Sequence, residues 1–189
     1  MNFKGIWRKS PEGRATLWTL AAIGFFLLIQ MVFVLPCFER IAGFKPFNAQ
    51  FPLSEVAVAI QLGAYSTGAA RAYVLFIATE IPLALSTSVF FALLWHTMFL
   101  FSPNRIFMFL KSGGILFTPF IAVVFNVAES VGFARLIAGL SEPSYASVVE
   151  LSTLMHQLRG ASEDLRIYVT IFFAGVIVIQ WVQRKSAEL

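Results

Sequence analysis

Residues 113 to 137 read GGILFTPFIAVVFNVAESVGFARLI. The run is apolar along most of its length, yet Asn126 and Glu129 lie well inside it. About 20 residues at a rise of 1.5 Å cross the hydrocarbon core of a bilayer, so the run predicts a transmembrane helix. A carboxylate inside such a helix costs about 3 kcal/mol on insertion scales, and by default it marks a functional position.

Composition places the whole chain in the same solvent. Of 189 residues, 58% are hydrophobic and 13% charged, with a mean hydropathy of +0.79. A soluble domain carries about 25% charged residues. The length fits one membrane domain, residues 1–189, with no separate soluble domain. The formal charge of +4 comes from Lys and Arg at span ends rather than in a stripe, which argues against nucleic acid. A single cysteine, Cys37, excludes an internal disulfide and a CxxC pair; its plain reading is a small apolar filler. The two histidines, His96 and His156, lack HxxxH or HExxH spacing, so no metal site is predicted, and no cofactor is expected.

Four spans follow along the chain. Lys4, Arg8, Lys9 and Arg14 precede an apolar run from Leu17 to Pro36, too long for a signal-peptide core and followed by no A-x-A site. It reads as a retained first span, about 17–36, with Trp7 and Trp18 near the interface and Gln30 its clear polar side chain. The connection 37–69 holds Pro46 and Pro52, then PLSEVAVAIQLGAY, whose spacing predicts a short interfacial helix. Span 2, about 71–96, contains Glu80 and Pro82, then Ser86, Thr87 and Ser88. Pro82 is expected to kink it, with the hydroxyls taking up freed carbonyls. His96 beside Trp95 marks its inner end. Residues 102–112 are a short connection in which IFMFL extends a helix. Span 3, about 113–137, is followed by SEPSYASVVELSTLMHQLRG, whose amphipathic spacing predicts an interfacial helix over 147–159, capped by Ser144 or Ser147 and ending at Gly160. Span 4 is about 166–182. The predicted fold class is therefore an all-α integral membrane protein, a four-helix transmembrane bundle with short interfacial helices in the first and third connections.

Eight Lys and Arg flank one side: Lys4, Arg8, Lys9, Arg14, Arg105, Lys111, Arg184 and Lys185. The other side has six, Arg40, Lys45, Arg71, Arg135, Arg159 and Arg166, over longer connections. The bias predicts both termini on the cytoplasmic side. The expected location is a bacterial cytoplasmic membrane.

Counting from the outer ends of the spans places the polar residues in depth. Glu80 falls about 13 Å down, Glu129 about 12 Å and Gln30 about 9 Å, at 1.5 Å per residue. Thr170 lies one turn below Arg166, and Asn126 shares a face with Glu129. The candidate site is thus Gln30, Glu80, Asn126, Glu129 and Thr170, all in the outer half. Two readings stand. The groups pair off as interhelical glue, with Arg71, Arg135, Arg166, Gln30 or Asn126 satisfying the carboxylates. Alternatively, Glu80 and Glu129 face each other across a pocket, able to bind a ligand or to act as acid and base.

The layout resembles a family of uncharacterised four-span membrane proteins whose third span carries a D-x-x-E-N pattern. Here the match is Asn126-Val-Ala-Glu129-Ser130, with Glu80-Ile-Pro82 matching an acidic residue before a proline in span 2. Asn126 and Ser130 depart from the pattern, and the resemblance implies no activity. Glu80-Ile-Pro82 and the span count are also similar to the EXPERA-type sterol isomerases and their receptor relatives, a likeness that implies acidic groups around a lipid cavity.

The sequence leads to a small polytopic membrane protein whose pocket binds an apolar or amphiphilic molecule, or a partner's helix. The alternatives are a membrane-embedded isomerase or cyclase using Glu80 and Glu129 as catalytic groups on a lipid or terpenoid, and a subunit or assembly factor of a larger membrane complex. The partners implied are the lipid bilayer and either a hydrophobic small molecule or another membrane protein.

Overall fold

The computed structural model describes residues 11–66, 68–101, 104–139 and 145–187. Trp7, Lys4, Arg8 and Lys9, the connection residues Ser102 and Pro103, and the candidate cap Ser144 lie outside the described residues. The described chain is helical almost throughout: α1 (Pro11–Ile29), α2 (Leu35–Ala42), α3 (Glu55–Ala64), α4 (Ala69–Phe101), α5 (Arg105–Ser112), α6 (Ile121–Ile137) and α7 (Tyr145–Ala187). Four segments are long and apolar enough to cross a membrane: Gly13–Ala42, Ala69–Leu100, Ile115–Ile137 and Tyr145–Gln183. The chain is an all-α integral membrane protein built as a four-helix bundle.

Span 1 runs on past its predicted end. A π turn at Gln30–Val34 joins α1 to α2, with the Leu35 N–H bonded to the Gln30 carbonyl. Pro36 cannot donate and crowds the carbonyl one turn back, so a locally widened turn lets the helix continue. Gly43, at φ 81°, then closes α2 in the left-handed conformation open to glycine. The predicted helix of the first connection is α3, its first turn capped by Ser54, whose Oγ accepts from the Ala57 N–H. In the second connection Asn104 caps α5 through the Phe107 N–H at 2.7 Å. Helix α4 passes Pro82 unbroken. Thr87 bonds its own Leu83 carbonyl, while Ser88 reaches across to the Pro119 carbonyl of the 3-10 turn that opens span 3.

The third connection corrects the sequence reading. No separate interfacial helix ends at Gly160: α7 is one helix of 43 residues that contains both the predicted segment 147–159 and span 4. Glycine inside a helix costs about 1 kcal/mol against alanine, which weakens a helix without stopping it. At Gly160 the missing Cβ leaves room for the Phe51 ring, whose atoms stand 3.0 and 3.1 Å from where a Cβ would be.

Helices α6 and α7 pack closely along their length, and α4 packs against α1 and α6. Helix α1 lies chiefly against α4, which leaves a crevice between it and α7. Two apolar cores form at the two ends of the bundle. Phe38, Phe47, Val58, Tyr73, Phe76 and Phe133 fill the end carrying the first and third connections. Trp95, Phe99, Phe107 and Phe173 fill the other. Apolar side chains such as Phe25, Leu28, Phe33, Val124 and Phe172 remain on the outside, as lipid as solvent allows.

Candidate functional site

Buried polar groups lie beside and between the two cores. Glu80 of α4 and Glu129 of α6 are 6% and 0% exposed. Neither is satisfied by Arg71, Arg135 or Arg166. The cation between them is Arg159 of α7, itself buried. Its Nη1 donates to Glu80 Oε1 at 2.8 Å, and its Nε stands 3.0 Å from Glu129 Oε2. Its Nη2 donates to the backbone carbonyl of Asn48 at 2.7 Å. One guanidinium thus ties α4, α6 and the first connection to α7, the fork geometry that only arginine offers.

The network extends on both sides. His156, one turn before Arg159, donates from Nδ1 to Glu129 Oε1 at 2.7 Å, since a carboxylate accepts. The Phe51 ring stacks on that imidazole with centroids 3.9 Å apart and sits 5.7 Å from the Arg159 guanidinium. On the other side Tyr73 donates to Asn48 Oδ1, Asn48 Nδ2 donates to Ser130 Oγ, and Ser130 donates to Glu80 Oε2. Outside the spans, burial raises the Tyr65 phenol well above its usual range, so it stays neutral where it packs on Phe38 and Phe47.

Beside the network is a cavity of about 490 Å3 between α1 and α7. Gln30, Glu80, Asn126, Arg159 and Arg166 form its polar wall, and Ile23, Leu27, Leu35, Phe76 and Leu83 its apolar one. Asn126 Oδ1 is buried with no hydrogen-bond partner among the described residues. Arg166 is only 9% exposed. Its Nη1 reaches Ser88 Oγ at 3.4 Å, its guanidinium lies 4.6 Å over Phe91, and its Nε has no partner. No carboxylate among the described residues comes within ion-pair distance of it, although Glu163 lines the same cavity one turn earlier.

Of the five residues singled out in the sequence, Gln30, Glu80 and Asn126 line the cavity. Glu129 sits behind that wall, joined to it through Arg159. Thr170 stands apart at the other core: it accepts from Trp95 Nε1 at 2.8 Å and donates to the Arg166 carbonyl. The reasoning from sequence missed Arg159, His156, Asn48 and Ser130 as members of the network. The signal for the first two was the spacing of Ser152, His156, Arg159 and Arg166 along one helical face, carried through Gly160. No protein-family model, no curated protein and no solved structure matches the chain, so the site is read from its own geometry.

Proposed function

We propose that this protein binds an amphiphile with an anionic head group in the crevice between α1 and α7. The observation that carries the reading is Arg166: a buried cation on the cavity wall with an unused Nε and, among the described residues, no carboxylate within ion-pair distance, Glu163 acting on it only from farther off. A charge taken from water without a partner is costly, and a bound carboxylate or phosphate supplies the partner. The apolar wall from Ile23 to Leu83 suits an acyl or prenyl tail. Glu80 and Glu129 are held by Arg159 and His156, which favours binding over acid–base turnover by those carboxylates. Kinship with the four-span family belongs to the same proposal. It is supported by Asn126, Glu129 and Ser130, the three positions of the pattern, all lying buried in or beside the network.

The test compares palmitate with hexadecanol, of the same chain length but uncharged, for binding to the purified protein in detergent. Palmitate should bind at least about tenfold more tightly, since a hydrogen bond to a charged group is worth about 1.5–3 kcal/mol. Arg166→Gln should remove that difference. Equal binding of the two probes, or none by either, refutes the anionic-ligand reading.

The orientation proposed with it puts both termini in the cytoplasm, supported by Arg14, Arg105, Lys111 and Lys185 on one side. With Cys37→Ser removing the exposed native thiol, cysteines placed near residues 14 and 187 in intact cells should resist an impermeant maleimide until the membrane is opened. Labelling in closed cells would reverse the orientation.

A further inference from the structure

Besides Arg166, the cavity wall carries a carboxylate with no ion pair among the described residues, Glu163. It is half-buried and lies on α7 one turn after Arg159 and one turn before Arg166. Arg159 meets Glu80 and Arg166 meets Ser88, both well inside the segment Ala69–Leu100, so Glu163 between them stands at membrane depth. Residues three and four apart on a helix are neighbours, and either arginine could take its carboxylate. Neither does. The Arg159 guanidinium is drawn into the bundle by Glu80, Glu129 and the Asn48 carbonyl. The Arg166 guanidinium is drawn toward α4, where it meets Ser88 Oγ and lies over Phe91.

One side of the cavity thus presents a cation and an anion one turn apart, held beyond ion-pair distance of each other. Ionisable groups at this depth that face a cavity mark binding positions. A simple anion answers only half of this wall: it meets Arg166 and is repelled by Glu163. A head group with one charge of each sign answers both. A further acceptor on the wall lacks a donor: Asn126 is 2% exposed, and its Oδ1 has no partner among the described residues. A primary ammonium offers three N–H groups, enough in number for both acceptors.

Resting on the reading of Arg166 as an anion site, we propose that the head group is zwitterionic, its phosphate on Arg166 and its primary ammonium on Glu163, as in a phosphoethanolamine lipid. Two carbons join the charges of that head, a reach that suits side chains whose Cβ atoms are about 5–6 Å apart. Glu80, Arg159, Glu163 and Arg166 sum to zero charge around the cavity, and a zwitterion leaves that sum unchanged. The same chemistry occurs in free phosphoethanolamine. Ile23 and Leu27 of α1, on the opposite wall, favour the lipid by taking up its chain.

The experiment uses the full chain in an uncharged detergent and measures binding of probes that share one palmitoyl chain. Lysophosphatidylethanolamine should bind at least about tenfold more tightly than lysophosphatidylglycerol, in which hydroxyls replace the ammonium. Lysophosphatidylcholine, whose cation has no N–H, should also bind more weakly. Glu163→Gln keeps the side chain's size and lies outside the Arg159 network, so it should melt with the native protein. It should erase the preference for ethanolamine and leave the glycerol probe bound as tightly or more so. Free phosphoethanolamine should bind at least about a hundredfold more weakly than its lipid, since it buries no chain. Equal binding of the ethanolamine and glycerol probes, both weakened by Arg166→Gln, overturns the zwitterion and leaves the anion site standing. Binding of neither above uncharged palmitoylglycerol overturns both readings. Choline and ethanolamine probes of equal affinity overturn the ammonium contact, and free phosphoethanolamine as tight as its lipid overturns the lipid as ligand.

Discussion

Replacing Arg159 by methionine is expected to destabilise the folded protein by about 3–5 kcal/mol, the cost of removing one partner from a buried ion pair. Two carboxylates lose their cation at once, since the guanidinium contacts both Glu80 and Glu129. The Asn48 carbonyl loses a donor as well, the Nη2 group that bonds it at 2.7 Å. Thermal unfolding in a mild detergent reads the effect directly. Arg159→Lys keeps the charge but presents one nitrogen where three are used, and it should fall between methionine and the native residue. Adding Glu80→Gln and Glu129→Gln to Arg159→Met should recover much of the loss, because the uncompensated charge goes with the carboxylates. A methionine variant that melts with the native protein would mean that the three groups are solvated in the membrane and that the network holds nothing.

Gly132→Ala should cost about 1–3 kcal/mol, the range for overfilling a packed site. A Cβ at this position of α6 would stand 2.0 Å from Ser152 Oγ and 3.1 Å from Ser152 Cβ on α7. The hydroxyl cannot simply turn aside at no cost, since it donates to the Val148 carbonyl at 2.6 Å. The two helices must therefore separate, and the Glu129–His156 and Glu129–Arg159 contacts one turn away separate with them. Ser152→Gly in the same chain should restore most of the stability by returning the space. A single alanine variant with native stability would show that the helices do not approach this closely.

The fold was legible because hydropathy is a property of long windows. Each span is a run of apolar residues that only lipid or a large core accommodates; the second and third runs were found within a few residues of their helices, the first ended short of Ala42, and the fourth caught only the carboxyl-terminal half of a helix that begins at Tyr145. Glu80, Glu129, Asn126 and Gln30 were legible for the same reason: a polar residue stands out against an apolar run. Their partners were not. Arg159 and His156 lie in a stretch where polar residues are ordinary, and Gly160 read as the end of an interfacial helix. Asn48 and Phe51 come from a loop without periodicity. Thr170 was misplaced because depth alone was used, and depth does not tell which neighbour a side chain faces. Trp95, read only as a marker of an interface, is the neighbour it faces.

The ion network also imposes an order on how the chain reaches its final state. Glu80 and Glu129 belong to the second and third spans, and their cation to the fourth. Synthesis from the amino terminus therefore delivers both acids to the membrane before the base that neutralises them exists. Until then the carboxylates lack Arg159, the cation that pairs with both in the folded protein, and the early spans are held in hydrocarbon chiefly by their apolar faces. Arrival of α7 supplies that cation, so the fourth span is the one that secures the three made before it in the bilayer.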